Sequence, residues 1–203
     1  MKRVIANARV TKYFNPQFVV NDCIFHEKVV VFASDQDCDI AFYNSSIVVE
    51  WVWKHSSRMG NCTLNFSLTD AIETLAYPAT LNTNVASLGN QYSCLRKLIM
   101  SSDQIGLTQL YNRFHNPNDV DTRLCEMRVK QTEIDNAVRD AYGWTDLDLE
   151  HGFHEVGYLP TNDNVRFTIS ESARIEVLKR LAKLNKERWE EEEAAGLHKK
   201  GKK

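Results

Sequence analysis

A single periodic stripe of apolar positions most constrains what this chain can fold into. The stripe lies in the second half of the sequence and alternates spacings of four and three residues: Val120, Leu124, Met127, Gln131, Ile134, Val138 and Ala141. Because an α-helix has 3.6 residues per turn, this spacing places all of them on one helical face. Asn118 or Asp119 can cap the start, and Gly143 suits the end. The sequence therefore predicts one long helix against a core.

Other helical patterns follow residue 83. Residues 84–100 and 108–114 favour shorter helices, and Ser170 with Glu171 favours the start of a last helix. The apolar positions of that last helix, expected to face inward, are Ile175, Leu178, Leu181 and Leu184.

The first 80 residues have a different pattern, in which short β-branched and aromatic runs alternate with turn residues. The runs that predict strands are residues 4–10 with interruptions, 18–20, 29–32, 40–43 and 63–66. Residues 45–55 fit a strand or a helix, and a serine cap favours the helix; capping residues near Ser67 favour a short helix over residues 70–75. The predicted fold class is α+β: a mixed α/β N-terminal region with short strands, then a mainly α-helical C-terminal region.

The charge balance excludes a polycationic protein. The chain has 25 Lys and Arg against 27 Asp and Glu, and residues 1–80 and 81–203 each carry a formal net charge of −1. Any contact with nucleic acid must therefore come from a local patch. The five cysteines are scattered along the sequence, which predicts free thiols in the cytoplasm. No signal peptide is recognised, and no apolar run reaches the roughly 18 residues that a membrane span requires.

Common catalytic and cofactor motifs are missing from the sequence. The eight glycines never occur as Gly-x-Gly, so no dinucleotide, S-adenosylmethionine or P-loop cradle is predicted. No lysine follows an acidic residue by two positions, as metal-dependent nucleases of the common type require. His115, His151 and His154 are interpreted as packing or surface residues rather than metal ligands. The sequence predicts no catalytic, cofactor-binding or metal-binding residue.

One loop carries side chains suited to DNA. Lys54, His55, Ser57 and Arg58 follow an apolar element and combine cations with hydrogen-bonding groups, which favours phosphate and base-edge contacts. Arg9 and Lys12 are predicted as supplementary phosphate contacts. Core packing is the main interpretation of five aromatic residues, with base stacking as the alternative: Trp51, Trp53, Phe14, Phe42 and Tyr43. The segment NPQF at residues 15–18 resembles the Asn-Pro-Pro-Tyr/Phe element of amino-methyltransferases, in which the Asn side chain and a Pro carbonyl hold the target amine. The second proline is missing, so the segment is interpreted as a turn entering a strand.

Three blocks in the second half match a known family in order and spacing. They are LTQLYNRFH (107–115), AYGWTDLDL (141–149) and RIEVLKRL (174–181), the last followed by Leu184, Asn185 and Arg188. They resemble the C-terminal region of large adenine-specific DNA methyltransferases of the single-chain restriction–modification (type IIG-like) and phage-exclusion classes. The resemblance spans about residues 1–197, with Phe-x-x-Pro replaced by LAYP at residues 75–78.

The resemblance implies a DNA target-recognition part without catalysis of its own. Such enzymes place the S-adenosylmethionine loop and the catalytic element upstream of the matched region. We therefore expect a target-recognition region over residues 1–82, a helical C-terminal region over 83–197 and a basic tail over 198–203. The expected partners are double-stranded DNA and a separately encoded methyltransferase subunit that carries S-adenosylmethionine. The alternative is a helical protein-interaction module, or a remnant of an interrupted methyltransferase gene, that does not bind DNA.

Overall fold

The computed structural model describes residues 1–60 and 62–197, and the predicted basic tail lies outside these residues. The described chain is α+β, as predicted, with short antiparallel sheets and long helices. The strands are β1 (Arg3–Ala8), β2 (Val10–Thr11), β3 (Gln17–Val20), β4 (Val29–Phe32), β5 (Ser57–Met59), β6 (Thr63–Asn65), β7 (Gly152–Glu155) and β8 (Val165–Thr168). The helices are α1 (Asp37–Asn44), α2 (Ser46–His55), α3 (Thr83–Asp103), α4 (Leu107–Phe114), α5 (Thr122–Ala141) and α6 (Glu171–Ala194).

Three small antiparallel sheets form within the described chain. The first has the order β3-β1-β4, with Ile5 of the central strand opposite Phe18 and Phe32. The second has the order β2-β6-β5, and the third is the β7-β8 hairpin. In the second sheet β5 is an edge strand, so one side of Ser57 and Arg58 is left for solvent or a ligand.

The predicted long helix is confirmed as α5, and the buried positions of its stripe are Leu124, Met127, Gln131, Ile134 and Val138. The helix begins at Thr122 with Asp121 as its cap, rather than Asn118 or Asp119. Asp119 instead accepts a hydrogen bond from Arg113 at 2.8 Å. Val120 consequently lies before the helix and is 77% exposed.

The strand predicted at residues 40–43 is wrong, because these residues belong to α1. Ile40, Ala41, Phe42 and Tyr43 are all buried. A short apolar run that is buried on every side has no periodicity to separate helix from strand. Packing decides the matter: α1 lies against α3 so closely that a Cβ on Gly89 would lie 2.1 Å from the Asp37 carbonyl oxygen.

Two further local predictions need correction. The short helix expected over residues 70–75 is a π-helical turn at Leu68–Ile72, capped by Ser67. In α6 the buried positions are Ala173, Val177 and Leu181, whereas Ile175 is 48% exposed. The inward face of α6 is therefore an i, i+4 row that starts one turn from the Ser170 cap.

Candidate nucleic-acid interface

The predicted DNA-facing segment lies where α2 ends and β5 begins. Lys54, Ser57 and Arg58 are exposed, whereas His55 is half-buried and its ring lies 4.0 Å from the ring of Trp51. Burial, followed by the charge of Lys54, lowers the pKa of His55 below its usual value. At neutral pH His55 is therefore a neutral hydrogen-bonding ring and adds no positive charge.

Lys54 and Arg58 line one side of an open groove of about 420 Å³, and the first turn of α6 lines the other with Glu171 and Arg174. Tyr158 lies between them, with the guanidinium carbons of Arg58 and Arg174 at 5.4 Å and 5.6 Å from its ring centroid. These distances are typical of cation–π contacts. The groove therefore brings together cations that are more than a hundred residues apart in the sequence.

The charge of this groove is predominantly positive. Arg58 Nη1 donates to the carbonyl oxygen of Tyr158 at 2.8 Å, which fixes the side chain without neutralising it. Arg174 pairs with Glu171 through two 2.6 Å hydrogen bonds, and these hold the pKa of Glu171 below its usual value. Lys54 has neither an ion pair nor a hydrogen bond within residues 1–60 and 62–197. Two of the three cations are thus available to an anion.

Arg174 was missed by the sequence reasoning. Arg174 lies in the matched block at residues 174–181, which the sequence placed in the last helix. No local pattern in the sequence connects this block with residues 54–58. Its position in the groove depends on how α6 packs against α2.

The supplementary residues Arg9 and Lys12 do not line this groove. Arg9 is exposed and donates to the carbonyl oxygen of Glu27 at 3.1 Å. Lys12 forms a 2.9 Å ion pair with Asp163 and donates to Asn112 Oδ1 at 2.9 Å. Lys12 would have to give up these contacts to bind a phosphate, and Arg9 lies on another part of the surface.

The aromatic residues considered for base stacking are buried. Trp51 is 2% exposed, and Trp53, Phe14, Phe42 and Tyr43 also belong to the core. Trp53 packs against Tyr158 with ring centroids 5.4 Å apart, and it reaches the floor of the groove. Base stacking on the outer surface by these rings would require rearrangement of the core.

A buried polar network holds the segment at residues 15–18. The carbonyl oxygen of Pro16 accepts hydrogen bonds from Arg96 Nη2 at 2.8 Å and Asn44 Nδ2 at 2.9 Å. Arg96 also donates to Asn44 Oδ1 and Tyr111 Oη. The segment leads into β3, and its proline carbonyl is fully engaged within the protein.

The histidines make separate structural contacts. His151 Nε2 lies 2.9 Å from Asp135 Oδ2, and His154 Nε2 lies 2.8 Å from the carbonyl oxygen of Glu150. His115 Nδ1 accepts a hydrogen bond from the backbone N–H of Phe167. Within the described residues, no group of three or more His, Cys, Asp or Glu side chains could hold a metal ion.

Glu50 is a buried acid beneath the groove. It is 3% exposed, and both its oxygens lie within 3.1 Å of Tyr158 Oη. Burial raises the pKa of Glu50 to about 7, against the opposing effects of Arg174 and the Tyr158 hydrogen bond. Near neutral pH this carboxyl group therefore exists in both protonation states.

A comparison with solved structures found one match. The chain shares its fold with part of a restriction–modification enzyme. That enzyme is the Type IIL restriction–modification enzyme MmeI, solved in complex with DNA, and the match has a TM-score of 0.57 and 13% sequence identity. The match covers 91% of this chain and 22% of that chain, so this chain spans about a fifth of its neighbour's length.

Two other comparisons found no match. The chain is matched by no protein-family model and by no curated protein. None of the helices in the described part of the chain is long and apolar enough to cross a membrane.

Proposed function

We propose that this chain is the DNA target-recognition part of an adenine-specific restriction–modification methyltransferase system. In this proposal it binds double-stranded DNA and positions a separately encoded methyltransferase subunit, which supplies S-adenosylmethionine and catalysis. The observation that carries the proposal is the groove where Lys54 and Arg58 meet Arg174, on a fold shared with part of a restriction–modification enzyme.

The chemistry of the groove suits a phosphate backbone. Guanidinium groups bind phosphate oxygens in a bidentate manner, and an unpaired lysine adds a mobile point charge. Because the whole chain has a net charge of −2, attraction to DNA must arise locally. The groove provides such a local patch beside Ser57, an exposed residue of an edge strand whose hydroxyl accepts a hydrogen bond from Asn65 and would have to turn to contact a base edge.

The test measures binding to a random duplex pool at about 50 mM and 200 mM salt, with and without the methyltransferase. Enrichment of one short sequence is expected, together with affinity that falls steeply with salt. The double variant Lys54→Gln/Arg58→Gln should reduce the slope of log K against log salt by about 2, since each lost phosphate contact removes about 0.9.

The matched control is Lys183→Gln/Lys186→Gln, which removes the same charge from exposed positions on α6. Its salt slope should stay close to that of the unmodified chain. Equal slopes for both double variants would refute the groove as the binding site. Absence of DNA binding with and without the methyltransferase would refute the proposed function and favour a protein-interaction module.

A further inference from the structure

A cavity of about 70 Å³ lies behind the groove, between α2, α5 and the β7-β8 hairpin. A water molecule needs roughly 10–15 Å³ by this measure, so the cavity has room for about five. Five water molecules occupy roughly 150 Å³ in liquid water, which is comparable to the volume of one six-membered heterocycle. The cavity is therefore large enough for a small ligand.

Three hydrogen-bond acceptors in this cavity have no partner in the described chain. Ser46 Oγ, Gln131 Oε1 and Thr168 Oγ1 belong to buried residues that line the cavity, and none is sealed inside the protein. The Gln131 amide has a fixed orientation, because its Nε2 donates to the Asn44 carbonyl oxygen and to Asp135 Oδ1, each at 3.0 Å. Its oxygen is thus held free.

Hydrogen-bond donors lie in the same wall. His115 Nδ1 accepts from a backbone N–H, so a neutral His115 carries its proton on Nε2. Burial and the nearby Arg166, Lys12 and Arg128 hold the pKa of His115 well below its usual value, which keeps the ring neutral. Protonated Glu50 adds an O–H group to the same wall, in contact with the Tyr158 hydroxyl. Lys12 and Arg166 also line the cavity, but both pair with Asp163. The cavity therefore favours an uncharged ligand with both donors and acceptors.

The walls of the cavity are aromatic, and it adjoins the groove. Phe14, Trp53 and Phe114 line it together with Tyr158, so a flat ring would have aromatic neighbours. Glu50, Trp53 and Tyr158 line both the cavity and the groove. These three side chains form the wall that the cavity and the groove share.

We propose that this cavity binds a single pyrimidine-type base, either free or displaced from DNA held at the groove. The DNA source rests on the proposed function, whereas the free-base source does not. Displacing a base from a duplex costs unstacking and unpairing energy, which is least for a mismatched base. The two sources are therefore experimentally separable.

The first experiment titrates the full chain with cytosine and with uracil, monitored by calorimetry and saturation-transfer NMR. Binding is expected, and Thr168→Val and Ser46→Ala should each weaken it about fivefold through loss of one hydrogen bond. Thr168→Val keeps the β-branched shape that a strand favours, so β8 should persist. The control Thr145→Val replaces an exposed threonine outside the cavity and should change nothing.

The second experiment compares a matched duplex with one that carries a central T·T mismatch. Mismatch binding that is tighter by threefold or more, and that is lost in Thr168→Val, would support DNA as the source. Base binding without a mismatch preference would support the free base. If neither Thr168→Val nor Ser46→Ala weakens binding of the free base or of the mismatched duplex, the cavity holds only water and the inference is wrong.

The two proposals fail in distinguishable ways. Salt-dependent DNA binding without any cavity response would overturn only the base site. Base binding without DNA binding would overturn only the proposed function.

Discussion

Replacing Glu50 with glutamine should make the protein more stable at high pH than the unmodified chain. Glutamine keeps an oxygen that can accept the Tyr158 hydroxyl hydrogen bond, but it cannot ionise. The pKa of Glu50 rises from 4.5 to about 7 in the folded chain, with burial as the main cause. Between these values the folded protein retains a proton that the unfolded chain has lost.

The sign follows from proton linkage. Because the folded state binds more protons over this range, the free energy of unfolding falls as pH rises from about 4.5 to 7, and the loss then levels off. The two pKa values give a cost of about 0.8 kcal/mol at pH 5 and about 3.3 kcal/mol at pH 8. Glu50→Gln should remove that cost, so its advantage should grow by about 2.5 kcal/mol over this interval.

The assay is urea unfolding of both proteins at pH 5 and pH 8, with Glu126→Gln as a control at an exposed position. The free energy of unfolding of the control should change with pH as it does in the unmodified chain, because an exposed carboxyl group loses little hydration on folding. An advantage for Glu50→Gln that does not change with pH would refute the reasoning, since a buried ionisable group must give a pH-dependent difference.

Three further substitutions test the packing by the same unfolding measurement. Gly89→Ala places a methyl group against the Asp37 carbonyl oxygen, so we expect the free energy of unfolding to fall by about 3 kcal/mol. Unchanged stability would contradict the close contact between α1 and α3. Arg96→Met removes three donated hydrogen bonds within a buried network and should cost about 3 kcal/mol; a neutral result would mean that the network contributes nothing. Ser170→Ala removes the N-cap of α6 and should cost about 1 kcal/mol, whereas Ser170→Thr keeps a hydroxyl that can both cap Ala173 and donate to Glu150 and should retain most of the stability.

Local features of the sequence determined much of the secondary structure. The α5 stripe was readable because a helix that buries one face leaves a 3.6-residue period in the sequence. Ser170 caps α6 as predicted, and Gly143 follows α5 with a φ of +76° that glycine adopts readily. These features act over one or two helical turns, so no distant part of the chain is needed to predict them.

The groove could be predicted only in part, because some of its residues show in the local sequence and others meet only through tertiary packing. The composition of the loop and its position in the resembled region pointed to Lys54 and Arg58, because cations beside an apolar element suit phosphate. Their use as DNA contacts stays a prediction, as does the boundary between residues 82 and 83. No local pattern indicated that Lys12 is paired with Asp163 or that Arg174 joins Lys54 and Arg58.

Tertiary packing decided everything that joins distant segments. Residues 40–43 are helical because α3, α5 and β4 pack around them from different sides, and a run that is apolar throughout carries no period. The packing of α2, α4, α5 and the β7-β8 hairpin forms the cavity, and Glu50 lines both this cavity and the groove beside α6. Periodicity and capping depend on neighbours within a turn or two, whereas burial, pKa and the meeting of charges depend on which surfaces pack together.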